Sequence, residues 1–325
     1  MNVFLTGGTG FIGSHVAMEL VKHGHQVTIL ARNRNKVPEL GKIKALEIVQ
    51  GDITDTKLLE KLVAGRDACI LVALNYTKRT GPEVLLDDTL PTVFLSDAAA
   101  KAGVKQFIYT SSTAANDSLY MGAREEAEKD LKVVTLATKQ HPVTFYGATK
   151  AASENYLSAQ AHLSPMRVNI IRPGYAFGNP VVSGASIQGD TRFRDIVRNA
   201  LQNAPILLTR NDGTQFIWAG DLAKVYLKVL HSDKNRKTYF ALSRKFVSWY
   251  DIARAVVQRT GSKSRVKLED KGLTEDCLYW DVSDIKKDFG LEFDPWEKIL
   301  EHLDYYIELE TKSSPGNRVT PAGAK

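Results

Sequence analysis

Val3-Phe4-Leu5-Thr6-Gly7-Gly8-Thr9-Gly10-Phe11-Ile12-Gly13 stands almost at the start of the 325-residue chain. Three apolar residues make a short strand, the glycines follow as GxxGxxG, and Phe11–His23 continues with helical spacing. The chemistry of a dinucleotide asks for this order. A pyrophosphate needs backbone N–H groups and a helix N-terminus pointed at it, and only glycine lets the main chain come that close. Gly7 is read as the tight turn, Gly10 as the close approach and Gly13 as the contact between helix and sheet. Phe11 and Ile12 belong to the same cofactor cradle. The strand before and the helix after separate this pattern from an ordinary glycine-rich turn.

Outward from the loop, the first third of the chain repeats the alternation. Val27–Leu30, Leu46–Val49, Cys69–Ala73 and Phe107–Tyr109 are short and mostly apolar, like buried parallel strands, and Arg167–Ile171 adds one more. Gly24 closes the first helix. Thr56–Ala64 and Thr89–Ala102 carry helical spacing, the second with Asp88 as its expected N-cap. This order predicts an α/β fold with a doubly wound parallel sheet of the Rossmann class. The dinucleotide-binding domain is expected over 1–175, with 204–245 returning to it. Residues 176–203 and 246–310 are expected to form a smaller substrate-binding lobe, with helices at Arg192–Gln202, Trp249–Arg259 and Pro295–Glu308. The Pro/Gly/Ser/Lys-rich stretch 311–325 reads as a disordered tail.

Composition excludes several classes. With 43% hydrophobic and 25% charged residues the chain can bury a sizeable core and is not a disordered polymer. Two cysteines make no disulfide framework, and neither CxxC nor HExxH occurs, so no metal is expected. No apolar run reaches the roughly 18 residues of a membrane span. With the fold beginning at once, no signal peptide is expected, and a cytoplasmic protein is. The net charge of +6 suggests nucleic acid until it is located. Residues 311–325 hold +3, and 32–44 hold +4, leaving the rest close to neutral. No nucleic-acid partner is expected.

The basic strip bears on the cofactor instead. A carboxylate at the end of the second strand would take the ribose 2′-OH of NAD. Leu30-Ala31-Arg32-Asn33-Arg34 has none, and Arg32 suits the 2′-phosphate of NADP through a forked contact. NADP is expected ahead of NAD. After the third strand, Asp52 is placed to accept from the adenine amino group and Ile53 to pack on the ring. Capping a turn is the other role open to Asp52.

Tyr146-Gly147-Ala148-Thr149-Lys150 opens a further helix, with Tyr146 and Lys150 on one face. A free phenol has a pKa near ~10 and is a poor base at neutral pH. A neighbouring ammonium favours the phenolate, so Tyr146 can exchange a proton with a substrate oxygen while hydride moves. Lys150 would also hold the nicotinamide ribose. Ser112 follows an apolar strand and can donate to the same oxygen, with Ser111 and Thr113 as competitors for that role.

The combination resembles the extended short-chain dehydrogenase/reductases, the NAD(P)-dependent epimerase/dehydratase group. The matching pieces include TGGTGFIG at 6–13, GDITD at 51–55, DACILVAL at 67–74, YGATK at 146–150 and IIRPGYAFG at 170–178. The resemblance implies Ser112, Tyr146 and Lys150 as the catalytic triad. It also implies Val72 and Ala73 beside the cofactor, Pro173 next to the nicotinamide, and a homodimer through helices around 89–102 and 146–161. Four departures narrow the chemistry. The His usual in the fourth-strand motif is Leu71. The Asp-Glu pair of the sugar dehydratases is replaced by Thr113-Ala114. The Asn usual before the helix that follows the fourth strand is Asp88. The Arg that usually follows the DGxQ stretch is missing after Gln215, leaving Arg192 or Arg210 to take its place. The expected function is hydride transfer between nicotinamide C4 and a secondary alcohol or ketone carbon, the substrate a small molecule such as a nucleotide sugar. The alternatives are an NADPH-dependent ketone or aldehyde reductase of the dihydroflavonol-reductase type and a non-catalytic NADP-binding sensor.

Overall fold

Val3, Phe4 and Leu5 are all 0% exposed, which requires packing on both faces of their strand. The computed structural model describes residues 1–73, 80–273 and 278–313, and seven parallel strands run through its middle. They are β1 (Asn2–Thr6), β2 (Gln26–Ala31), β3 (Leu46–Gln50), β4 (Ala68–Leu71), β5 (Gln106–Thr110), β6 (Arg167–Pro173) and β7 (Lys237–Ala241). Their order across the sheet is β7-β6-β5-β4-β1-β2-β3. Successive side chains point to opposite faces. Val3 and Leu5 therefore join Val16, Leu222 and Val229 from helices Phe11–Lys22 and Ala219–Leu230. Phe4 joins Leu59, Leu95 and Leu157 from helices Thr56–Val63, Leu90–Lys101 and Phe145–Leu163. Strand order reverses between β1 and β4, and such sheets bind ligands in the crevice beyond that reversal. The segments starting at Gly7 and Val72 meet there.

A second core lies outside the sheet. Phe177, Phe193, Phe216, Trp249, Ile252, Leu303 and Tyr306 are buried together, with Phe193 and Trp249 ring centres 4.9 Å apart in an edge contact. Helices Arg192–Leu201, Trp249–Thr260 and Trp296–Ser313 carry it. Ile206–Thr209 pairs with Val266–Glu269, and Gly213–Thr214 with Val247–Ser248, so these strands side with the second core. Ile217–Trp218 pairs with Ala176–Phe177 apart from the seven-stranded sheet, and helix Ala219–Leu230 then packs on that sheet.

Two local expectations change. Asp88 does not cap a helix. The chain is already helical from Gly81, capped by Thr80 and Glu83, and passes through a π-helical turn at Leu85–Thr89 before Leu90–Lys101. That turn hides the start from a reading based on 3.6-residue spacing. The last helix runs on to Ser313, into the stretch expected to be disordered, and 314–325 lie outside the described residues. Leu74 and Cys277 also lie outside them. Among the described residues, no helix is long and apolar enough to cross a membrane.

Candidate active site

The loop after β1 is built of backbone. Gly7 has φ +74°, and a Cβ there would sit 2.6 Å from the Ala73 nitrogen and 3.0 Å from the Val72 carbonyl carbon. Only glycine fits both the conformation and the space. Thr6 fastens the same crossing, its Oγ1 accepting from the Ala73 N–H at 3.2 Å. The Gly10 N–H donates to the Gly7 carbonyl at 2.8 Å, and Gly10 becomes the N-cap of the Phe11–Lys22 helix. A Cβ on Gly13 would lie 2.1 Å from the Gly7 carbonyl oxygen, so its bareness lets the helix close over its own loop. The side chains of Phe11 and Ile12 pack away from the loop, against His15 and the sheet core. No side chain caps this helix, and no acid stands in its first turn. A positive helix pole fronted by bare backbone fits a pyrophosphate.

At the far end of this crevice, Arg32 follows β2 and is exposed. Asp52 uses Oδ1 to accept from the Thr54 N–H at 2.9 Å and its hydroxyl at 2.8 Å, a turn-capping role. The Thr54 N–H and hydroxyl, with nearby Arg32, hold the Asp52 carboxyl below the usual carboxylate range against partial burial. Ile53 packs on the second face of the sheet. Pro173 ends β6, opposite Ala241.

The structure brings the three expected catalytic residues to the β5 end of the same edge. Ser112 lies two residues past β5, and its Oγ accepts from the Ala114 N–H at 3.0 Å, capping the wholly buried turn Thr113–Leu119. Tyr146 is the second residue of the Phe145–Leu163 helix. Lys150 is 3% exposed, and its Nζ donates to the Thr110 carbonyl at 2.9 Å and to the Tyr109 hydroxyl at 3.3 Å. That Nζ lies 4.9 Å from the Tyr109 ring centre and 5.8 Å from that of Tyr146. Burial pushes the Lys150 ammonium down to about 8, while the carboxylates of Asp88 and Glu154 work the other way. The amine is thus mostly charged at neutral pH and stands beside the Tyr146 phenol.

Known proteins resemble this chain along most of its length. Residues 3–241 match the model of the NAD dependent epimerase/dehydratase family. The chain belongs to that family. A 3β-hydroxysteroid dehydrogenase/Δ5→4-isomerase of Mycobacterium tuberculosis is 28% identical, over 94% of this chain and 90% of its own length. A UDP-glucose 4-epimerase of Neisseria meningitidis is 35% identical over 34% of this chain and 36% of its own. Among solved structures, UDP-glucuronic acid 4-epimerase from Bacillus cereus superposes with a TM-score of 0.79 at 17% identity, over 95% of this chain and 99% of that one. That likeness shows the fold. As a member of the epimerase/dehydratase family the chain is an NAD(P)-dependent enzyme, an oxidoreductase or an epimerase.

Sequence reasoning missed the buried charges under this family's site. Glu154 lies one helical turn beyond Lys150 and accepts from Arg172 Nε at 2.8 Å and Nη2 at 2.5 Å, from Gln140 at 2.7 Å and from the Ser111 hydroxyl. Both side chains of the pair are 7% exposed. Ser111 therefore has its hydroxyl proton committed to Glu154, which separates it from Ser112. The signal was present as a Glu four residues after Lys150 and an Arg inside the apolar run at 170–173, but pairing them needs the fold. Elsewhere Arg192 is held by Asp190 at 2.9 Å and Asp212 at 3.6 Å, with its guanidinium 4.5 Å over the Trp249 ring.

Proposed function

We propose that the protein moves hydride between nicotinamide C4 and the carbon of a secondary alcohol or ketone, with Tyr146 as acid/base, Lys150 as its charged neighbour and Ser112 orienting the substrate oxygen. The observation that carries this is the buried Lys150 ammonium, 5.8 Å from the Tyr146 ring and fastened to the end of β5. NADP, bound along Gly7–Gly13, supplies the hydride acceptor or donor. Gly7, Gly10, Phe11, Ile12 and Gly13 hold the pyrophosphate, Val72, Ala73 and Pro173 line the path to the nicotinamide, and Asp52 and Ile53 take the adenine. Arg32 selects the 2′-phosphate. Its exposure beyond β2 and its influence on Asp52 support that assignment. The lobe built on the second core, with the strands Ile206–Thr209 and Gly213–Thr214, covers the substrate.

A second reading, a net dehydrogenase or reductase of a neutral ketone or alcohol, is supported by the state of Arg192, one of the two arginines that could stand in for the missing one. A diphosphate needs a cation to hold it. Arg192, which lies over the Tyr175 ring two residues past Pro173, is already paired with two carboxylates. Such a reaction is that of the 3β-hydroxysteroid dehydrogenase relative.

We also infer a homodimer. Phe94 on helix Leu90–Lys101, and Phe145 and Tyr156 on helix Phe145–Leu163, are 43%, 60% and 58% exposed, on helices that pack side by side. The cytoplasm is the proposed compartment, and it suits the free thiol of buried Cys69.

One experiment tests the core of this reading. UDP-glucose and a 3β-hydroxysteroid are each incubated with NADP+ or NAD+, and nicotinamide absorbance is followed. Net reduction of the nicotinamide with the steroid supports the second reading, and UDP-galactose formation without net reduction supports the epimerase. Tyr146→Phe is expected to lower either rate by about 10²–10⁴-fold while NADPH binding survives. Retained turnover in that variant overturns the role of Tyr146. Arg32→Ala should erase most of the preference for NADPH over NADH, and equal binding in the unaltered protein removes the 2′-phosphate role.

A further inference from the structure

We propose that Asp117 is a positioning residue: through Thr144 it holds Tyr146 in register with Ser112 and Lys150. It rests on the acid/base reading of Tyr146 and goes beyond it.

Asp117 is 2% exposed, inside the buried turn that Ser112 caps. Its Oδ1 accepts from the Val143 N–H at 2.6 Å, and its Oδ2 from the Thr144 hydroxyl. Thr144 is the N-cap of the Tyr146 helix, and its Oγ1 accepts in turn from the Gly147 N–H at 3.0 Å. One carboxylate therefore reaches both the segment entering the helix and the residue capping it. A negative charge there also suits the positive helix pole.

The contact is close-packed as well as hydrogen-bonded. A Cβ on Gly147 would sit 2.3 Å from the Ala114 carbonyl oxygen and 2.6 Å from Asp117 Oδ2. The first turn of the helix thus rests directly on the Ser112 turn. Tyr146 lies in that first turn, whose backbone N–H groups have no partners within the helix, so its shape depends on the cap. Lys150 is fastened separately, to Thr110 and Tyr109. Losing the cap should therefore shift Tyr146 relative to a fixed Lys150, which is a catalytic fault and not merely a softer helix end.

Phenolate titration tests this without knowing the substrate. Ultraviolet difference absorbance between the protein and its Tyr146→Phe variant, both saturated with NADP+, isolates Tyr146. The same subtraction is made in Thr144→Val, Thr144→Ser and Asp117→Asn backgrounds. Thr144→Val removes the cap without changing charge, and should raise the Tyr146 titration toward that of a free phenol. Thr144→Ser should leave it in place. Asp117→Asn should raise it too, although removing a negative charge alone would lower it. NADPH binding should be unchanged in all of them. If Tyr146 titrates below a free phenol in the unaltered protein and equally low in both Thr144→Val and Asp117→Asn, the two residues only cap a helix and the proposal is overturned. If Tyr146 titrates as a free phenol in the unaltered protein, the acid/base reading falls first and the positioning role with it. Should Asp117→Asn not fold, the Thr144→Val and Thr144→Ser pair gives the same decision.

Discussion

The Gly7–Gly13 loop and the Phe145–Leu163 helix lie at the same edge of the sheet and are built by opposite means. The loop has no charged side chain, and its shape comes from a positive φ at Gly7 and from the absence of Cβ atoms where β1 meets Val72 and Ala73. The helix buries Lys150 and Glu154 on its inner face, against Arg172 from β6 and beside Asp117. The difference follows from what each is proposed to do. A dinucleotide brings its own charge, so a surface of N–H groups is enough to hold it. A proton-transfer group must have its affinity adjusted, and in a poorly solvated interior nearby charges do that strongly. The two regions should therefore fail differently when altered.

The largest failure is expected beneath the helix. Glu154→Gln leaves the Arg172 guanidinium buried without its counter-charge, and breaking such a pair costs about 3–5 kcal/mol of folding stability. Denaturant melts of the NADP-bound protein should show it. Replacing both partners, as Glu154→Leu with Arg172→Met, should regain much of the stability, because the cost lies in the orphaned charge. Turnover should not return with it, since Ser111 and the end of β5 lose their anchor. A double variant as unstable as the single one would mean that Gln140 and Ser111, not Arg172, carry the site.

A smaller and differently placed fault is expected in the loop. Alanine at Gly7 meets both an unfavourable φ and the Ala73 backbone, at about 1–3 kcal/mol of strain. Gly7 is only half-buried, so the loop can relieve the strain by opening away from Val72. Gly7→Ala should thus lose about tenfold or more in NADPH affinity, read by fluorescence titration, with little change in the denaturant midpoint. A large loss of stability with affinity intact would reverse the contrast between the two regions.

This contrast also explains what was legible in the sequence. The loop could be read because its constraint is local: glycines at fixed spacing between a strand and a helix carry the whole mechanism. Tyr146 and Lys150 could be read because four residues make one helical turn. The Glu154–Arg172 pair joins residues 18 apart on different elements, and Asp117 reaches Thr144 across 27. Nothing in spacing marks them until the strand order of the sheet is known. The π-helical turn at Leu85–Thr89 was missed for a related reason. An extra residue in one turn breaks the 3.6 period, so spacing alone points to Asp88 as a cap although the helix starts at Gly81.

The smallest effect sharpens the comparison most, since it touches only the charge on one nitrogen. Burial brings Lys150 down to about 8, well below the ~10.4 of a solvated lysine. Because the pKa is lowered, the ammonium is present below about 8 and is lost as pH rises through that value. If Tyr146 depends on that charge, turnover at saturating cofactor should halve near pH 8 and fall about tenfold for each further pH unit. Cofactor affinity should fall less steeply, because the Gly7–Gly13 loop contributes no titrating group and Lys150 meets only the nicotinamide ribose. A profile of kcat and of NADPH binding between neutral pH and the limit of folding measures both at once. A kcat that stays level until solvated lysines titrate would show that the Lys150 charge does not govern the proton, and Tyr109, 3.3 Å from its Nζ, would then be the residue to examine.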